Sequence, residues 1–327
     1  MEVSEIDGPA GEEGTIQERP DSSQQPLSGL ESAAIDQLRT RKKPWYTNIL
    51  ILLLTLGLFF SIGMLTYGAL SIIFLLIVLG IHELGHYYAM KTLGYTNVTI
   101  FFIPLGGAVM SGSGYTVSAG RKALISLAGP IPGIVIGIPI AIIAARTGSE
   151  FLHNLAVTFF ILNAFNLLPF FPLDGGAFLY HILFYRSRVA ETVYKILAGG
   201  ALIALGIALK AWFLPVIGLM TLISIPSSVK KSKIADKLKD ELDNPVSVPL
   251  AEAPSQIQRK VIGEVVSFYP NVGSSKQIAD IANETWERYS TQPLKRGKAV
   301  GLFFLYLICF LVGSFTGLGM LAGAVPA

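Results

Sequence analysis

Cysteine is nearly absent from this chain: Cys309 stands alone. An intrachain disulfide and a cysteine-based zinc cluster are both excluded, so any metal site must use histidine and carboxylates. Histidine is itself scarce, at four residues. Charge is scarce too. Asp, Glu, Lys and Arg make up 14% of the 327 residues, against about 25% in an ordinary soluble domain, which argues against a water-soluble globular protein. A net charge of +3 is too small to suggest a nucleic-acid partner, and none is expected. In place of charge the chain has 52% hydrophobic residues and 33 glycines. That pairing suits transmembrane helices, whose small residues let backbones approach closely.

The sequence therefore predicts an all-α polytopic membrane protein embedded in a lipid bilayer, the cell (inner) membrane. A membrane helix needs about 20 mostly apolar residues. Such stretches occur at 45–69, 70–93, 123–145, 152–170, 190–209, 211–229 and 299–324, which gives about seven transmembrane helices. The sixth is interrupted by Pro215 and Pro226. Ahead of them, residues 1–44 are polar and carry eight acidic residues up to Glu31 against Arg19 alone. This reads as a disordered acidic cytoplasmic tail, with neither the basic start of a secretory signal nor the acid-poor composition of a transit peptide. Four segments follow from these boundaries: the tail at 1–44, a membrane core at 45–229, a cytoplasmic segment or small helical module at 230–298, and a C-terminal transmembrane helix at 299–327.

Basic residues orient the spans. With the N-terminus cytoplasmic and the C-terminus outside, only Arg146 and Lys210 fall on the outer side. Between the second and third spans, Asn97–Met110 is rich in β-branched and aromatic residues around Gly106-Gly107. It reads as a short membrane-embedded β-hairpin, which helices must shelter because open strand edges are not tolerated in lipid. In the third span Gly129, Gly133 and Gly137 fall on one helix face, a stripe read as ordinary close packing.

The chemistry concentrates in two places. The first is His82-Glu83-Leu84-Gly85-His86. Two histidines at i and i+4 share a helix face and can hold one ion. Glu83 lies about 100° further round the helix, placed to take a proton from a water at that ion. Without a metal the same residues would be a polar packing cluster, and polar groups in an apolar span are costly unless paired. An open catalytic site needs a third ligand. The second place supplies it: Asn166-Leu167-Leu168-Pro169-Phe170-Phe171-Pro172-Leu173-Asp174-Gly175-Gly176. Its prolines bend the end of the fourth span, and its glycines permit unusual backbone that could turn Asp174 inward. Alone, Asp174 would read as a helix N-cap. His153 reads as a solvated interface residue, and His181, seven residues after Asp174, as a surface or interfacial residue with a supporting place beside the site as the alternative.

Together these two motifs, with Ala128-Gly129-Pro130 and Gly106-Gly107, resemble the site-2 protease family of intramembrane zinc metalloproteases. The likeness covers about residues 45–229, in a minimal form without room for a PDZ domain or paired CBS domains. It implies one Zn²⁺ per chain on His82, His86 and Asp174, with Glu83 as general base. Asn166 matches the family's motif asparagine, which implies a role in substrate handling or transition-state stabilisation. The implied activity is cleavage of transmembrane protein substrates within or near their spans, releasing cytosolic fragments. A polytopic zinc transporter or zinc-dependent scaffold is the alternative from another class. Such a protein has no need for a glutamate beside the first histidine, and the internal repeats common in transporters are missing.

Overall fold

The computed structural model describes residues 28–39, 69–103, 107–113, 118–185, 187–211, 213–242 and 248–323. The span expected at 45–69 lies outside these residues, apart from Ala69. So does most of the acidic tail.

Helix α1 (Gly29–Arg39) occupies part of the segment expected to be disordered. Its cause is local. The Ser28 hydroxyl accepts the Glu31 amide at 3.3 Å, and the Glu31 carboxylate accepts the Ser28 amide at 2.8 Å, a reciprocal cap. Ala34 and Leu38, one turn apart, then bury into a helical module.

Helix α2 (Ala69–Thr92) carries the HExxH motif in its C-terminal half. Strands β1 (Thr96–Ile103) and β2 (Gly107–Ser113) follow and pair antiparallel, with Ile100 opposite Met110 and Ile103 opposite Gly107. Helices α3 (Ala119–Ala128) and α4 (Pro130–Thr147) meet at Gly129, with Pro130 opening the second. Helix α4 ends at Gly148, whose φ of 66° lets its N–H reach the Ala144 carbonyl. Ser149 immediately caps α5 (Glu150–Asn166) by accepting the Leu152 amide. This two-residue connection forces α4 and α5 into an antiparallel hairpin.

Past the proline-rich turn come α6 (Asp174–Leu179), a π-helical turn at Tyr180–Phe184, and α7 (Arg188–Ala208). The stretch expected as a sixth span is split. Helix α8 (Phe213–Ile223) stops at Ser224, and Pro226 sits in the first turn of α9 (Ile225–Glu241), which is polar. Helices α10 (Ser255–Phe268) and α11 (Ser275–Ser290) precede the long apolar α12 (Arg296–Ala322).

Among the described residues, four helical stretches are long and apolar enough to cross a membrane: Ala69–Thr92, Ala119–Thr147, Arg188–Ala208 and Arg296–Ala322. The sequence reading has seven. Helix α5 is shorter, with 17 residues, because the chain turns at Leu167. The last two of these expose Leu197, Ile207, Phe304, Phe315 and Leu318, a surface that hydrocarbon would solvate better than water.

Two cores result. One joins α3, α4, α5, α6 and α12 through Leu127, Ile134, Phe160, Leu167, Phe178 and Tyr306. There Gly313 of α12 lies against Ala164, and Gly317 lies against Phe160 and Ile161 of α5, close enough that a side chain would crowd. The other joins α1, α9, α10 and α11 through Leu38, Ile234, Leu238, Ile262, Ile278 and Trp286. This second module is tied to the first by charge. Glu191, buried at the start of α7, pairs with Lys195 at 3.1 Å and with Arg288 of α11. Lys122 of α3 pairs with Glu287 at 2.8 Å.

Candidate metal centre

His82 and His86 are both buried on one face of α2. Their rings stand edge to face, with centroids 4.8 Å apart. The helix is held in place by a close crossing. A Cβ on Gly85 would collide with the Ala128 carbonyl, so only glycine allows α2 to approach the α3–α4 junction. One turn along, a Cβ on Gly129 would strike the His86 imidazole, and one on Gly133 would strike the amide of Asn163. The glycine stripe is packing, as its spacing suggests, but what packs into it is the site itself.

Asp174 is the first residue of α6. Gly175 and Gly176 hold ordinary helical backbone rather than an unusual conformation. Their use is proximity: added Cβ atoms would collide with the Leu167–Phe171 backbone. The helix start is thereby laid directly on the preceding turn, and the carboxylate is delivered to α2. Its Oδ2 lies 3.1 Å from Nε2 of His82 and 3.2 Å from Nε2 of His86. The two Nε2 atoms are 3.2 Å apart.

The far side of each ring fixes its tautomer. His86 Nδ1 lies 2.8 Å from the Ile125 carbonyl, which can only accept, so Nδ1 carries the proton. His82 Nδ1 lies 2.9 Å from Oδ1 of Asn163. That amide is oriented by its own Nδ2, which donates to the Phe159 carbonyl at 2.7 Å. With each ring neutral, its Nε2 turns a lone pair toward a carboxylate oxygen. Three electron-rich atoms at this separation repel unless a cation or proton lies among them. The group fits zinc. A tetrahedral ion at about 2.0–2.1 Å from each donor spaces its ligand atoms about 3.3–3.4 Å apart and leaves a fourth position open. His82, His86 and Asp174 are the candidate metal cluster among the described residues.

Glu83 is buried next to this group, and its Oε2 has no hydrogen-bond partner in the structure. An orphaned carboxylate oxygen at such a site is expected if its partner is a reacting water or substrate group. Asn166 is not drawn into the cluster. It is half-buried, and its Nδ2 donates to the Leu162 carbonyl one turn back at 3.1 Å.

Sequence reasoning missed Asn163. Its signal was a further amide in an apolar stretch, about one turn ahead of the motif asparagine. His181 lies apart from the centre, on a cavity of about 470 Å³ bordered by Lys122, Tyr185 and Arg288. Burial and the nearby Lys122 ammonium push its imidazole down to about 3. His153 lines a separate groove between α4 and α12.

The model of peptidase family M50 matches residues 70–149, a stretch that runs from α2 through α4 and holds both histidines and Glu83. Zinc metalloprotease MJ0392 of Methanocaldococcus jannaschii is 31% identical over 163 residues, 46% of this chain and 47% of that protein. Stage IV sporulation protein FB of Bacillus subtilis is 27% identical over 143 residues, 42% of this chain and 48% of its own. The match thus spans about half the length of these curated relatives. A solved structure, the site-2 protease from Methanocaldococcus jannaschii, is 26% identical and covers 56% of this chain and 88% of its own, with a TM-score of 0.39. The family read from the sequence motifs is the one to which these sequence matches point.

Proposed function

We propose that this chain, kin to the family M50 peptidases, is an intramembrane zinc metalloprotease that cleaves transmembrane protein substrates and releases cytosolic fragments. The observation that carries the reading is the convergence of two imidazole Nε2 atoms and one carboxylate oxygen within 3.2 Å of each other, beside a buried glutamate.

His82, His86 and Asp174 would hold one Zn²⁺ per chain. Bound there, the ion supplies a Lewis acid that polarises a carbonyl and lowers the pKa of a water toward about 7. Glu83 accepts the water's proton during attack on the scissile carbonyl and returns it to the leaving amine. Asn163 and the Ile125 carbonyl hold the two rings so that neither can rotate away or change tautomer. Asn166, at the end of α5, is the candidate amide for contacting the substrate. Strand β1 or β2 offers an edge to which an unwound substrate segment could add.

The orientation follows the basic residues, with the N-terminus cytoplasmic, the C-terminus outside and the α1/α9–α11 module in the cytosol. The membrane is taken to be the cell membrane. A zinc transporter is the weaker reading, because transport gives no role to the orphaned carboxylate of Glu83.

The test is cleavage of a tagged single-span substrate in reconstituted vesicles. The native chain should yield a soluble fragment, and Glu83→Gln and Asp174→Ala should not. Equal cleavage by either variant would rule out this mechanism.

A further inference from the structure

The turn that delivers Asp174 is awkward in apolar surroundings. Residues 167–173 include Pro169 and Pro172, which have no N–H to give. Amides of the turn and of α6 serve the Leu168, Phe170 and Leu173 carbonyls, and the Thr221 hydroxyl serves that of Phe171 at 3.3 Å. Two tyrosines on helices that carry no metal ligand serve those of Leu167 and Pro169. The Tyr306 hydroxyl, from α12, donates to the Leu167 carbonyl at 2.8 Å. The Tyr194 hydroxyl, from α7, lies 3.1 Å from the Pro169 carbonyl and 3.1 Å from the Gly176 carbonyl, sharing its hydrogen between them. Both side chains are buried.

The rings grip the other side of the aspartate. Tyr306 stacks on Phe178, four residues after Asp174, with centroids 4.9 Å apart. Tyr194 stacks on Phe184 at 4.5 Å. Each tyrosine thus bonds to backbone before Asp174 and packs against the chain after it. Because Gly175 and Gly176 are pressed onto the Leu167–Phe171 backbone, a displacement of the turn is passed to the carboxylate.

We infer that Tyr194 and Tyr306 are positioning residues for the metal centre, acting through Asp174. This rests on the reading of Asp174 as a zinc ligand. Helix α12 lies outside the stretch matched by the family model, and it is here given a part in the site rather than a role as anchor alone.

Tyr194→Phe and Tyr306→Phe remove only the hydroxyls and leave the stacked rings. Purified protein would be loaded with zinc and titrated with a chelator, and separately loaded with Co²⁺ for its visible spectrum. Each single variant should hold zinc about tenfold less tightly and show a shifted Co²⁺ band. The metal-free variants should unfold at a somewhat lower temperature, because a buried carbonyl loses its donor, and the Co²⁺ spectrum, recorded well below that temperature, separates positioning from general destabilisation. Native zinc affinity and native Co²⁺ spectra in both single variants, with Asp174→Ala losing the metal, would overturn the inference and leave the site standing. Full zinc retention by Asp174→Ala would overturn both.

Discussion

Asn163 meets His82 across two helices: its Oδ1 lies 2.9 Å from Nδ1 of the ring, and the Phe159 carbonyl fixes which end of the amide faces it. This pairing holds the imidazole with Nε2 available. Asn163→Leu should weaken zinc binding by about 10–100-fold, while Asn163→Asp, which still accepts from Nδ1, should keep most of it. Zinc retention across a chelator series measures both.

The glycine stripe gives a graded prediction. Gly129→Ala places a methyl group in the His86 ring, and Gly133→Ala places one in the Asn163 amide. Each should destabilise the fold by about 1–3 kcal/mol and lower zinc content. Gly80→Ala, on the same α2 as the histidines, meets nothing within 4 Å and should leave both unchanged. Thermal unfolding and metal analysis on the three variants separate contact from composition.

Glu83 separates chemistry from binding. Glu83→Gln keeps the shape and removes the base, so turnover should fall by about 10²–10⁴-fold with zinc content unchanged. Single-turnover cleavage and metal analysis on one preparation test this.

Glu191 is the buried carboxylate that serves both Lys195 and Arg288. Glu191→Ala leaves two cations uncompensated where α7 meets the α11 module. The expected loss is about 3–5 kcal/mol, read by unfolding in detergent. Arg288→Met should cost less, because Lys195 still neutralises Glu191.

His181 sets a pH dependence of stability. Its folded-state value is pushed down to about 3, so the folded protein keeps it neutral where the unfolded chain already binds a proton. Stability from this group is present above the ordinary histidine value of about 6.5 and is lost as pH falls from there toward 3. His181→Gln should flatten that part of the curve in an unfolding series over pH.

The cluster of His82, His86 and Asp174 was legible because its chemistry is written in spacing: i, i+4 histidines need only a helix, and Asp174 follows a turn marked by two prolines. Asn163 was not legible, because which face of α5 meets α2 depends on helix rotation that the apolar sequence does not encode. The glycine stripe was legible as packing, but its partners, His86 and Asn163, are set by tertiary contact. Helix α1 was obscured by the acidic residues around it, although Ser28 and Glu31 carry the capping pattern. The stretch at 211–229 reads as one span by composition, yet Pro226 starts a new helix in the middle of it.

The most direct measurement is X-ray absorption at the zinc edge on the purified protein. The account predicts one zinc per chain with two imidazoles, one carboxylate oxygen and one further light atom, and loss of the metal in Asp174→Ala. A sulfur ligand from Cys309, or an unchanged spectrum in Asp174→Ala, would contradict it.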